Sequence, residues 1–122
     1  MNKTELINKI SPYGIYIHTE EIKNCWIFTK QNALKVLNIF LEAKIPILGG
    51  DVGKYKDAHF EYNNDNWSCN IIKKESLEAY LQRSINITKK YIENYPLDDV
   101  YFAFVFLEDT KRAKDFWLLN AF

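Results

Sequence analysis

The sequence predicts an α+β domain in which a mostly antiparallel sheet of about five to six strands is packed by two main helices. Three observations indicate this class. Two segments carry apolar side chains at helical spacing, other segments alternate as strands do, and the order of elements is not that of a regular parallel sheet. The 122 residues fit a single domain, residues 1–122, which can bury roughly two thirds of its unfolded surface.

The first main helix is predicted to begin after Thr29, a natural N-cap, and to end near Ala43 or Lys44. Pro46 limits its continuation, because the residue before a proline is pushed out of the helical region. Apolar residues on one stripe predict its buried face, and they are Ala33, Val36, Leu37, Phe40 and Leu41.

The second main helix is predicted to begin near Glu75 or Ser76 and to close before Pro96. Three tyrosines, Tyr80, Tyr91 and Tyr95, flank its apolar stripe. The stripe repeats at helical spacing and consists of Leu77, Leu81, Ile85, Thr88 and Ile92.

Strands are predicted on both sides of the first helix, at residues 25–28 and 45–48, the latter running into a pair of glycines. Residues 59–62 and 67–71 both alternate in polarity. The four residues between them, 63–66, are all Asn or Asp, which is typical of a turn. We therefore expect these two segments to form a hairpin in which Phe60 and Tyr62 share one face.

Residues 100–107 are apolar throughout and predict a central strand, either covered on both faces or with its second face against a long loop. A polar connection is expected at 108–114. Residues 116–119 are expected to return as an antiparallel neighbour, with a helix as the alternative for so short a run. At the N-terminus, residues 4–10 suggest a helical turn and residues 14–17 an edge strand.

Composition points away from several partners. Sixteen basic and sixteen acidic residues cancel, so bulk charge draws the chain neither to nucleic acid nor to an anionic membrane. No apolar stretch reaches the length of a signal peptide or a bilayer span, so a cytoplasmic location is expected. Aromatic residues make up 16% of the chain, and surplus Tyr and Trp on a surface often mark a protein interface.

Cys25 and Cys69 each lie in an apolar, strand-like segment without a second ligand at metal spacing. We interpret them as two buried free thiols rather than a disulfide or a nucleophile, because neither lies near a helix start or a basic cluster that would lower its pKa. No cofactor and no metal are expected.

Two further patterns suggest chemistry only superficially. Asp51, Asp57, His59 and Glu61 lie close together in the sequence, but their spacing suits an exposed polar strand face better than a metal site. Residues 49–54 resemble a phosphate-binding loop that lacks the required Ser or Thr after its lysine. The simpler expectation is a glycine at positive φ where the strand exits, with the Asp51 carboxylate accepting hydrogen bonds from nearby backbone N–H groups.

Residues 45–52 read Ile-Pro-Ile-Leu-Gly-Gly-Asp-Val, and with residues 25–29, 33–34 and 65–67 in matching order the chain resembles the immunity protein 40 family of bacterial polymorphic-toxin systems. One departure is visible, because Gly53 stands where that family tends to place an aromatic residue. The resemblance implies a small cytoplasmic antidote that binds a cognate toxin and neutralises it by occlusion, without catalysis.

Aromatic anchors with nearby charge are what tight interfaces use. The residues that we nominate for toxin contact on this basis are Asp51, Tyr55, Asp57, Glu61, Tyr62 and Trp67. One alternative is a small ligand-binding or enzymatic α+β domain that uses His59 and Glu61 as its polar groups. Another is an interaction module inside a larger assembly. The oligomeric state and the activity of the toxin remain open at this point.

Overall fold

The computed structural model describes residues 1–120, which form four helices and one five-stranded antiparallel sheet. The elements in chain order are α1 (Lys3–Ile10), β1 (Ile15–Ile17), β2 (Cys25–Thr29), α2 (Lys30–Ala43), β3 (Ile47–Lys56), β4 (His59–Ser68), α3 (Leu77–Asn94), β5 (Tyr101–Phe106) and α4 (Thr110–Asn120). The strand order is β1-β2-β5-β3-β4, and each neighbouring pair is antiparallel. The predicted α+β class is confirmed, with β5 as the central strand.

Both main helices lie where their capping residues predict. The Thr29 hydroxyl accepts a hydrogen bond of 3.3 Å from the Asn32 backbone N–H at the start of α2, and Lys44 ends that helix in the left-handed conformation, with φ 57°. In α3 the Ser76 hydroxyl accepts a 3.1 Å bond from the Ala79 backbone N–H, and the helix stops before Pro96.

The two faces of the sheet differ in how they are covered. On one face, helices α1, α2 and α3 pack against strand residues such as Phe28, Val52, Phe102 and Phe104, which forms the main core. The opposite face carries a smaller cluster of buried residues, Ile17, Ile27, Phe60 and Ala103, to which the part of the chain described here contributes no helix residue. We call this second side the open face.

The predicted hairpin between residues 59–62 and 67–71 is wrong, because the first segment and the start of the second belong to the single strand β4, whose hairpin partner is β3. Strand β3 continues through the glycines to Lys56, and the turn is formed by Asp57 and Ala58, whose φ angles are 53° and 62°. Two consecutive residues at positive φ give a tight two-residue turn whose twist matches that of the flanking strands. The shared face expected for Phe60 and Tyr62 is confirmed, since their rings meet edge to face at 5.1 Å.

The residues expected to form the turn instead form a bulge inside β4. Asn66 pairs with Asp51 and Tyr62 pairs with Gly53, so residues 63–65 together oppose the single residue at position 52. Asn64 has a φ of 73°, a conformation that asparagine tolerates better than most residues. A run of Asn and Asp residues can therefore form either a turn between strands or, as here, a bulge within an edge strand.

Residues 116–119 do not return as a strand but belong to α4, which corrects the first expectation and bears out the alternative. The same helix replaces much of the polar connection expected at 108–114. Its start is capped by the Asp109 carboxylate, which accepts a 2.7 Å hydrogen bond from the Arg112 backbone N–H. Ala113 and Trp117, four residues apart, are buried, and the Trp117 ring stacks on Tyr80 at 5.6 Å.

Helix α3 attaches to the sheet through a stripe of polar groups on its buried side. Tyr80 donates a 2.6 Å hydrogen bond to the Cys69 carbonyl, and Ser84 Oγ accepts one of 3.2 Å from the Ile47 backbone N–H. These bonds satisfy polar groups at the ends of β3 and β4 where water cannot reach them.

At the N-terminus, α1 covers the segment expected to be helical, and β1 is the edge strand expected at residues 14–17. None of the helices formed by residues 1–120 combines the length and the apolar character needed to cross a bilayer.

Candidate functional site

The Asp51 side chain lies on the open face of the sheet. Its residue pairs with Ala103 on β5 and with Asn66 on β4, and Ala103 belongs to the open-face cluster. Directly opposed residues in a sheet project to the same side, so the carboxylate emerges on the open face, where it is half-buried.

A cavity of about 370 Å³ adjoins Asp51 where two strands separate. Pairing between β2 and β5 runs from Thr29/Tyr101 to Ile27/Ala103, whereas β5 continues along β3 to Phe106. The gap beside the start of β2 is lined by Cys25, Trp26, Asp51, Tyr62 and Val105, among others. We call it the Asp51 cavity.

Burial raises the pKa of three side chains that line the Asp51 cavity, Cys25, Asp51 and Tyr62. Desolvation, aided by the Asp51 charge and opposed by the Tyr62 hydroxyl, raises the pKa of the Cys25 thiol to about 11. Desolvation is also the largest cause of the raised pKa of Tyr62, followed by the charges of Cys25 and Asp51. Cys25 and Tyr62 therefore stay protonated at neutral pH. Asp51 is the most acidic of these three side chains.

The Asp51 carboxylate is unpaired within residues 1–120. It accepts no hydrogen bond from a backbone N–H and forms no ion pair there, so the expectation that it binds nearby backbone is wrong. Burial alone raises its pKa. The carboxylate thus bears a desolvation cost that no contact in this part of the chain offsets.

The two glycines before Asp51 have a structural role inside β3 and do not mark the end of a strand. Gly50 pairs with Trp67 on one side and Phe104 on the other. A Cβ at Gly50 would overlap the Trp67 indole and the Ala103 carbonyl oxygen. Glycine is therefore required at this position, because the indole and the neighbouring strand approach its backbone too closely for a Cβ.

Four of the six nominated residues lie on the open face or at its end. Asp51 and Tyr62 line the same cavity. Tyr55 lies farther along β3, with its ring 5.6 Å from that of Tyr101. Asp57 is exposed at the tip of the β3–β4 turn.

The other two nominated residues point elsewhere. Glu61 pairs with Lys54 and, by strand alternation, projects to the side opposite Tyr62. Trp67 lies in the core at 7% exposure, stacked on Tyr91 at 4.8 Å, so its nomination as a surface anchor is corrected. The mistake follows from the wrong hairpin, since Trp67 was expected on a separate short strand.

His59 and Glu61, the polar groups of the enzymatic alternative, are both exposed, and neither lines the Asp51 cavity. In the described part of the chain, no three His, Cys, Asp or Glu side chains gather as a metal ion would require. Both cysteines are free, and Cys69 is buried while Cys25 is half-buried.

Cys25 was assigned to the core, and its place beside Asp51 was missed. The two residues belong to β2 and β3, which flank the central strand β5. That order is set by long-range pairing, and no local pattern in either segment reveals it.

The fold and this site are those of a small α+β domain in which the helices of residues 1–120 cover one face of the sheet. The family model for immunity protein 40 matches residues 10–106 of the chain, a span that contains the whole sheet. The chain belongs to the immunity protein 40 family. No curated protein and no solved structure matches it.

Proposed function

We propose that this protein is an immunity protein that binds a cognate toxin with the open face of its sheet and neutralises it by occlusion, without catalysis. Membership of the immunity protein 40 family supports the class. The observation that carries the choice of surface is the open face itself, where an unpaired acidic group adjoins exposed aromatic rings. As the family resemblance implies, we place its action in the cytoplasm.

The open face has the composition of a protein-binding surface. Tyr62 is 43% exposed and Val105 is 49% exposed, while Tyr55 and Tyr101 are half-buried beside them. Tyrosine supplies a large apolar area with a polar end at small cost in side-chain entropy. Such rings around a charged group favour tight and specific contact with another protein.

The protonation of the site supports binding over catalysis. A thiol with a pKa of about 11 is a poor nucleophile at neutral pH. The raised pKa of the Tyr62 hydroxyl keeps it protonated at neutral pH, so it is not available as a general base. Neither side chain is deprotonated at neutral pH, as a nucleophile or general base would be. Both can contact a partner as neutral polar groups.

The test is co-expression with the toxin domain encoded beside this gene. Wild-type protein is expected to restore growth, and a soluble variant with both Tyr55→Ala and Tyr62→Ala is expected to lose protection. Tyr13→Ala is the matched control, because Tyr13 is also exposed, at 38%, but lies outside the strands. Growth arrest despite soluble wild-type protein would contradict the proposal.

A further inference from the structure

We propose that the Asp51 cavity receives one cationic side chain of the toxin, an arginine, whose guanidinium pairs with the Asp51 carboxylate. This inference rests on the proposed function and adds to it the chemistry of the contact. It assigns the cavity a specificity role, since an interface that buries a carboxylate rejects partners that bring no positive charge to it.

The size of the cavity suits a single side chain. At about 370 Å³ it stands at the small end of the roughly 300–1,000 Å³ range of ligand sites. Its walls combine the apolar surfaces of Trp26 and Val105 with the polar group of Asp51. A long side chain with an alkyl stem and a charged head matches that arrangement.

The Asp51 carboxylate has no ion-pair partner among residues 1–120. Lys3 and Lys23 also line the cavity, but burial is the cause of the raised pKa of Asp51, and neither lysine offsets it. Lys3 lies 3.9 Å from Glu108, with both side chains largely exposed. A cation that enters the cavity would supply the missing partner and recover part of the desolvation cost.

The aromatic residues around the cavity favour arginine over lysine. Tyr62 lines the cavity and, paired with Gly53 two residues after Asp51, lies on the same face of the sheet as Asp51. A planar guanidinium can stack flat on this ring and form two parallel hydrogen bonds with a carboxylate, whereas the ammonium group of lysine is a point charge without that planar fork.

The first experiment measures the affinity of the purified toxin domain for the wild-type chain, for Asp51→Asn and for Glu42→Gln. Asp51→Asn is expected to weaken binding by about tenfold or more, because hydrogen bonds to charged groups are lost. Glu42→Gln, on the exposed side of α2, is expected to leave binding unchanged. Equal binding by Asp51→Asn and wild type, both folded by circular dichroism, overturns the inference.

The result separates this inference from the proposed function. Failure of the wild-type chain to bind the toxin overturns the proposed function. Equal affinity of wild type and Asp51→Asn for the toxin overturns only the assignment of the cavity.

The second experiment needs no toxin. Nα-acetyl-arginine methylamide is titrated into the isotopically labelled protein and followed by NMR, with Nα-acetyl-lysine and Nα-acetyl-glutamate methylamides as comparisons. The arginine probe is expected to shift the amide signals of Cys25, Asp51 and Tyr62, and to bind Asp51→Asn about tenfold more weakly or worse. No shift at these residues, or a stronger response to the lysine or glutamate probe, overturns the assignment.

Discussion

The Tyr95 hydroxyl, at the end of α3, donates a 2.7 Å hydrogen bond to the Asp65 carboxylate in β4. The same oxygen accepts a 2.8 Å bond from the Asn63 side-chain amide. One tyrosine thus holds both flanks of the bulge that interrupts the edge strand. Bulges in edge strands hinder pairing with other chains. By holding the bulge in place, this contact also helps to prevent another strand from pairing with the exposed edge of the sheet.

Tyr95→Phe is expected to destabilise the protein by about 1 kcal/mol, because two hydrogen bonds at the bulge are lost while the ring remains. Urea denaturation followed by circular dichroism measures the free energy of unfolding. Tyr91→Phe is the matched control, since the Tyr91 hydroxyl forms no hydrogen bond within residues 1–120, and should change that energy by less than about 0.5 kcal/mol. Equal stability of the two variants would refute the anchoring role.

Gly50→Ala is expected to destabilise the protein by about 2 kcal/mol or more, because the added methyl group overlaps the Trp67 indole and the Ala103 carbonyl oxygen. A double-mutant cycle with Trp67→Leu tests the cause. If the indole is responsible, the double variant will be more stable than the sum of the two single effects predicts. Strictly additive effects would show that Trp67 is not the reason for glycine here.

Thr88→Val is expected to cost about 1–3 kcal/mol, because the buried Trp67 Nε1–H donates to the Thr88 hydroxyl at 3.0 Å and would lose its partner. Thr88→Ser retains an acceptor and should recover most of that loss. Thermal unfolding of the three proteins provides the comparison. A valine variant as stable as wild type would mean that the indole hydrogen bond adds nothing.

Asp51→Asn is expected to stabilise the free protein at neutral pH. Burial raises the pKa of Asp51 in the folded state above its ordinary value of 3.8, so the folded protein binds the proton more tightly than the unfolded chain. The protonated Asp51 side chain therefore favours the folded state, and this contribution to the free energy of unfolding is lost as the pH rises from 3.8 through the higher pKa of the folded protein. The stability difference between variant and wild type, measured from pH 3 to pH 7, should grow with pH; a constant difference would contradict the assignment.

The helices could be predicted from the sequence because their limits are local. Thr29 and Ser76 accept hydrogen bonds from residues three positions later, and a proline follows the ends of α2 and α3 within a few residues. Helix α4 also carried a local pattern, the Asp109 cap and the four-residue spacing of Ala113 and Trp117, which the short apolar run at 116–119 obscured.

The bulge and the site could be predicted only in part. Whether residues 63–66 form a turn or a bulge depends on Tyr95, which lies 30 positions from Asp65. Asp51 and Tyr62 were nominated from residue type, and the sheet brings them to one cavity. Cys25 joins them only through the order of the strands, which depends on pairing between distant segments.

Isothermal titration calorimetry of the neighbouring toxin domain with Tyr62→Ala and with Glu61→Ala shows whether the open face binds the toxin. These adjacent residues project to opposite faces of β4, so each variant probes one face with the same truncation. We expect Tyr62→Ala to weaken binding about tenfold or more and Glu61→Ala to bind like wild type. Loss of binding in Glu61→Ala with full affinity in Tyr62→Ala would contradict this expectation.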